Sequence, residues 1–110
     1  MDIKIKGIGF TVRPELTDFV NKKVVKLSQF YDKIIGSDVS LSTEKSGTKE
    51  NKLCDIRLII PGNDLLASAQ CKTFEEAVDQ SVEVLVKQIE KKKYKHINYE
   101  TAKMIQILNY

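Results

Sequence analysis

Residues 52–71 read KLCDIRLIIPGNDLLASAQC. The stretch divides at PGND, a turn signal. Before it, Cys54, Ile56, Leu58 and Ile60 fall on one face of an extended chain. After it, Leu65, Ala67, Ala69 and Cys71 do the same, alternating with Leu66, Ser68 and Gln70. A period of two marks half-buried β-strands. A two-residue hairpin loop is expected at Gly62 and Asn63 and would set the register. It places Ile60 opposite Leu65, Leu58 opposite Ala67, Ile56 opposite Ala69 and Cys54 opposite Cys71. All eight side chains then point to one side. A one-residue slip in one strand would turn its apolar set to the wrong face.

The flanking segments carry the same logic in both directions. DVSLSTEK at 38–45 puts Val39 and Leu41 on one face and Ser40 and Ser42 on the other. SGTKEN at 46–51 is a polar loop. DIKIKGIGF at 2–10 alternates Ile3 and Ile5 with Lys4 and Lys6, a further half-buried strand. RPELTDFVNKKVVKLSQFY at 13–31 changes period: Leu16, Phe19, Val20, Val24, Leu27 and Tyr31 recur at three and four, one apolar face of a helix. Pro14 suits its first position, and Glu15 and Asp18 sit near the positive end of the helix dipole. TFEEAVDQSVEVLVKQIEKKKYKH at 73–96 is a second helix, opened by Thr73 and Glu76 in a capping-box pattern. Phe74, Ala77, Val78, Ser81, Leu85 and Ile89 form its inward stripe. The predicted order is β-α-β-β-β-α. A sheet apolar on one face needs a cover, and two amphipathic helices supply it. The fold class is α+β: a two-layer sandwich, with two helices on one face of a four-stranded sheet and the other face polar.

The chain has 110 residues, is 42% hydrophobic and 30% charged, and carries a net charge of +3. These values suit one globular domain with its own core. No apolar run reaches the roughly 20 residues of a membrane span, and MDIKIKGIGF lacks the apolar stretch of a secretory signal. A cytoplasmic location is expected. Cys54 and Cys71 form neither a disulfide framework nor a CxxC, and the single histidine, His96, lacks a partner set for metal or nucleophilic chemistry. On the apolar face, each cysteine reads as a small hydrophobe and is expected to be a reduced thiol. The GIG at 7–9 is too short for a phosphate loop. Glu75 and Glu76 fit a helix N-terminus. No catalytic constellation, metal site or cofactor is expected, and the chain reads as a non-enzyme.

Charge is distributed unevenly. KQIEKKKYKH at 87–96 holds five lysines and one acid in ten positions. Lysines near a helix C-terminus are favoured by the macrodipole, so a solvated helix end competes with a polyanion site. At about 100° per residue, Lys87, Lys91 and Lys95 line one edge of the second helix, and Lys22 and Lys26 lie on the corresponding flank of the first. Lys23 lies nearer the apolar sector and is expected to snorkel. Two basic ridges on adjacent helices would suit a phosphate backbone, and Tyr94 and His96 offer rings for stacking. For the tyrosine, a packed or exposed ring is the simpler account.

Over about Ile3 to His96 the chain resembles the ribosome hibernation-promoting factors and the related ribosome-associated inhibitors. IKGIGF, LTDFVNKKVVKLSQFYDKI, DVSLSTEK, IIPGNDLLASAQ and TFEEAVDQSVEVLVKQIEKKK carry the resemblance, in order and at matching spacing. It implies a fold like a double-stranded-RNA-binding domain. It further implies a non-catalytic bacterial factor that binds ribosomal RNA in the decoding channel of the small ribosomal subunit and silences translation in stress or stationary phase. The family's basic positions match Lys23, Lys26, Lys87, Lys91, Lys93 and Lys95, and Lys22 and Lys92 are additional candidates. Long members carry a further C-terminal dimerising domain; this chain, ending at Tyr110, reads as the short form.

The expected division is a ribosome-binding domain over 1–96 and an apolar tail over 97–110. Ile97, Met104, Ile105, Ile107 and Leu108 allow a short amphipathic helix with a role in self-association or ribosome contact. The alternatives are a general structured-RNA-binding module and a protein-interaction domain.

Overall fold

A computed structural model describes residues 1–44, 47 and 49–96, with the backbone alone for 92–96. The tail assigned to 97–110 lies outside the described residues, as do the side chains of Lys92, Lys93, Tyr94, Lys95 and His96. The elements are β1 (Asp2–Gly7), α1 (Pro14–Val25), α2 (Leu27–Phe30), β2 (Gly36–Thr43), β3 (Lys52–Ile59), β4 (Leu65–Cys71) and α3 (Phe74–His96). The four strands form one sheet in the order β1-β2-β3-β4, with β1 and β2 parallel and the rest antiparallel. The α+β reading stands, with one change. The first predicted helix is interrupted at Lys26, leaving α2 as a one-turn continuation. Ser28 Oγ donates to the Val25 carbonyl at 2.6 Å, and such back-bonding by a helical serine competes with the backbone ladder.

One buried layer joins sheet and helices. Leu16, Val20, Val24 and Leu27 come from the first helical stretch, Val39, Leu41, Cys54, Ile56 and Leu58 from the sheet, and Ala77, Val78, Leu85 and Ile89 from α3. These are the positions the two periodicities pick out. The cover works because β1-α1-β2 is a parallel crossover, which needs a connection long enough for a helix.

The hairpin holds a correction. Leu58 pairs with Leu65, Ile56 with Ala67, Cys54 with Ala69 and Lys52 with Cys71. The register is therefore offset by two residues from the expected one, and the two cysteines are not directly opposed. The loop is longer than two residues because Ile60 turns into the core, 3% exposed, rather than pairing with Leu65. Gly62 takes a positive φ of 93° in that loop. Arg57 donates from Nε and Nη2 to Asp64 Oδ2, each at 2.6 Å, holding the loop against the outer face. A shift of two keeps every side chain on its predicted face. Cys54 and Cys71 are buried free thiols.

The GIG segment has a structural role. A Cβ on Gly7 would stand 2.5 Å from the Phe10 carbonyl oxygen, and Gly9 has a φ of 82°. Only glycine lets the chain leave β1 this tightly. The turn brings Phe10 onto Phe74, with ring centroids 5.3 Å apart.

Candidate nucleic-acid interface

Strand directions decide where the lysines meet. β4 runs parallel to β1 and β2, since two antiparallel pairings separate it from β2. α1 returns from the end of β1 to the start of β2, and α3 folds back along β4. The two helices therefore run in the same direction. Gln88 Nε2 of α3 donates to the Leu66 carbonyl near the start of β4 at 2.9 Å, whereas α3 begins just after the end of that strand. Both helices carry acids early and lysines late: Glu15 and Asp18 before Lys22, Lys23 and Lys26, and Glu75, Glu76, Asp79 and Glu83 before Lys87 and Lys91. Parallel helices with this polarity concentrate positive charge at one end of the domain. Lys33, in the loop after α2 and exposed, belongs to the same end. No periodic pattern marks it; its signal is its place after the first basic helix.

The candidate side chains are not equivalent. Lys22, Lys26, Lys87 and Lys91 are exposed. Lys23 is half-buried: its Nζ lies 3.1 Å from Asp79 Oδ1 of α3 and 5.4 Å from the Phe19 ring centroid. It lies along the helix layer as expected, with its charge already met by a carboxylate. Lys92, Lys93 and Lys95 fall in the last turns of α3, with their side chains outside the described residues.

The two lysine rows do not abut. The Lys23–Asp79 pair identifies the flank of α3 that faces α1. The Gln88–Leu66 bond identifies the opposite flank, over β4. At about 100° per residue, Lys87 and Lys91 lie on the outer surface toward the β4 side. Asp79, Glu83 and Glu90 occupy the shoulder between them and α1. Among the described residues, the lysines thus form two patches at one end of the domain with an acidic shoulder between.

The remaining polar groups serve the fold. Burial pushes the Cys54 thiol up to about 12, with the hydrogen bond from Ser81 opposing and the Asp55 and Cys71 charges adding to the rise. Burial also raises Cys71, assisted by Glu76 and Glu50. Neither thiol is therefore a thiolate nucleophile near neutral pH. Among the described residues no group of three His, Cys, Asp or Glu side chains is placed to hold a metal ion. No helix among them is long and apolar enough to cross a membrane. Asp38, Ser40, Asp55, Arg57, Leu66 and Ser68 of the sheet, with Val84 of α3, line one concave surface.

Comparison with known proteins agrees with this architecture. The sequence model described as "Sigma 54 modulation protein / S30EA ribosomal protein" matches residues 3–97. The ribosome hibernation promoting factor of Klebsiella oxytoca is 32% identical over 95 residues, covering 86% of this chain and 96% of that protein. The ribosome hibernation promotion factor of Bacillus subtilis is 30% identical over 97 residues, covering 86% of this chain and 50% of that protein. In fold, a ribosomal subunit interface protein from Coxiella burnetii superposes with a TM-score of 0.75 at 24% identity, covering 86% of this chain and 99% of that one. The N-terminal domain of Thermus thermophilus Protein Y gives 0.72 at 23% identity, covering 83% and 98%. A family match over nearly the whole described chain, on the same strand and helix order, makes this protein a member of the S30EA ribosomal protein family, the family of the ribosome hibernation promoting factors.

Proposed function

We propose that the protein is a non-catalytic ribosome-binding factor. It occupies the decoding channel of the small subunit in the cytoplasm and inactivates translation during stress or stationary phase. The observation that carries this reading is the meeting of lysine-bearing helix ends, from two distant segments, at one end of a domain whose relatives are named ribosome hibernation promoting factors. Lys22, Lys26, Lys87 and Lys91 are the phosphate contacts supported by exposure, and Lys92, Lys93 and Lys95 extend them along α3. Lys23 contributes by exchanging Asp79 for phosphate. Charge-assisted contacts of this kind bind a folded RNA backbone without reading its sequence, so the ribosome's shape supplies the selectivity.

The test is sedimentation of the purified protein with small subunits, whole ribosomes and an unrelated duplex RNA, together with translation in vitro. Expected are co-sedimentation with small subunits, inhibition of translation, and displacement by messenger RNA. Equal affinity for unrelated duplex would instead identify a general RNA-binding module. Binding to a lysate component that resists nuclease would identify a protein-interaction domain.

A further inference from the structure

The two edges of the sheet are built differently. β1, at one edge, is charged at Asp2, Lys4 and Lys6, three of its six residues. β4, at the other, reads LLASAQC and has no charge in seven. Natural edge strands are guarded by charge, proline or bulges, because an open row of N–H and C=O groups pairs with another strand. β4 has none of these guards, and Leu66 on it is 64% exposed. Val84 of α3, 40% exposed, lines the same concave surface.

Two hydrogen bonds show which groups of β4 face outward. Glu44 N–H donates to the Asn51 carbonyl, which sets the phase of the β2–β3 ladder. Carried through the β3–β4 register, that phase turns Leu65, Ala67, Ala69 and Cys71 toward β3. Independently, the Leu66 carbonyl is met from outside the sheet by Gln88. Leu66, Ser68 and Gln70 therefore present their backbone groups along the open edge.

We propose that β4 pairs with β4 of a second copy, antiparallel, about a twofold axis at Ser68. In that register Ser68 faces Ser68 and Leu66 faces Gln70 of the other copy. One step beyond, Asp64 faces Lys72 at both ends of the ladder. Such an interface is isologous, so each favourable pair occurs twice. No like charges meet within it, and registers centred on Leu66 or Gln70 do not pair Asp64 with Lys72. The same axis runs the two α3 helices antiparallel on one face of the joined sheet, with their β4-side flanks toward each other. The Gln88 amide leaves the Leu66 carbonyl when the partner's Gln70 N–H takes it. A seven-residue edge buries little area, so the dimer is a weak one, formed as concentration rises.

The experiment is sedimentation equilibrium of the full chain from micromolar to millimolar concentration in low salt, with circular dichroism to confirm folding. A reversible monomer–dimer equilibrium is expected. Ser68→Pro deletes an outward N–H that the β3–β4 ladder does not use, and should raise the half-dimerisation concentration at least tenfold. Lys72→Glu should raise it by a smaller factor. If the proline variant does not fold, Leu66→Lys at the exposed side chain takes its place, with the same loss expected. A chain that stays monomeric at every concentration overturns the proposal. So does a dimer indifferent to these substitutions, which residues 97–110 or another face would then hold.

Discussion

Lys23 and Lys26 stand three residues apart in the sequence and differ in electrostatic setting. Lys23 is half-buried and bridged to Asp79, whereas Lys26 is exposed. Lys26 and its exposed counterpart Lys91 are therefore the cleaner probes. Reversing both to glutamate should abolish co-sedimentation with the small subunit. Unfolding stability should change by less than about 0.5 kcal/mol, as usual for surface positions. Full inhibition by a folded double variant would remove these patches from the mechanism. Cys54 permits a second residue-level prediction. Its folded pKa is raised to about 12, while an unfolded thiol titrates near 8.5. A thiol held neutral in the fold contributes its full stability below the unfolded value and loses it as pH rises toward the folded one. Between pH ~8.5 and ~12, Cys54 should lower stability by about 1.4 kcal/mol per pH unit. Cys54→Ala should be flatter over that window by this amount. Parallel denaturation profiles for the two proteins would show that the thiol does not carry the slope.

At the scale of the element, α3 begins as its sequence signals. Glu76 N–H donates to Thr73 Oγ1 at 3.1 Å, the first half of a capping box. Thr73→Ala should cost about 1 kcal/mol, read as a lower denaturant midpoint with an unchanged slope. An unchanged midpoint would mean that packing of Phe74 on Phe10 alone sets the helix start. The hairpin shows the complementary case. Alternation established which side chains face inward, because a strand has only two faces. It was silent on the pairing partner, because any shift by two satisfies the same alternation. The burial of Ile60 and the Arg57–Asp64 contact belong to the observed register, and neither is visible in the alternation. The interruption at Lys26 was equally hidden, since Ser28 is compatible with a helix until its hydroxyl finds the Val25 carbonyl.

Over the whole molecule, lysines from α1 and α3 collect at one end of the domain. If about five lysines meet phosphates, counterion release gives a slope of log affinity against log salt on the order of −4. Affinity for the small subunit measured between low and moderate salt should show it, and a flat response would exclude a phosphate-contact mechanism. The amino-acid order specified the α+β class, the inward faces, the helix start at Thr73 and the lysines themselves, because each depends on neighbours within a few positions along the chain. Strand direction, helix polarity and the Lys23–Asp79 pair depend on residues far apart in sequence, and they became visible when the sheet was assembled. Periodicity alone suggested two ridges on one surface. The parallel run of α1 and α3 instead turned the α1 row toward α3 and the α3 row toward β4, because equivalent flanks of parallel neighbours face the same way and not each other.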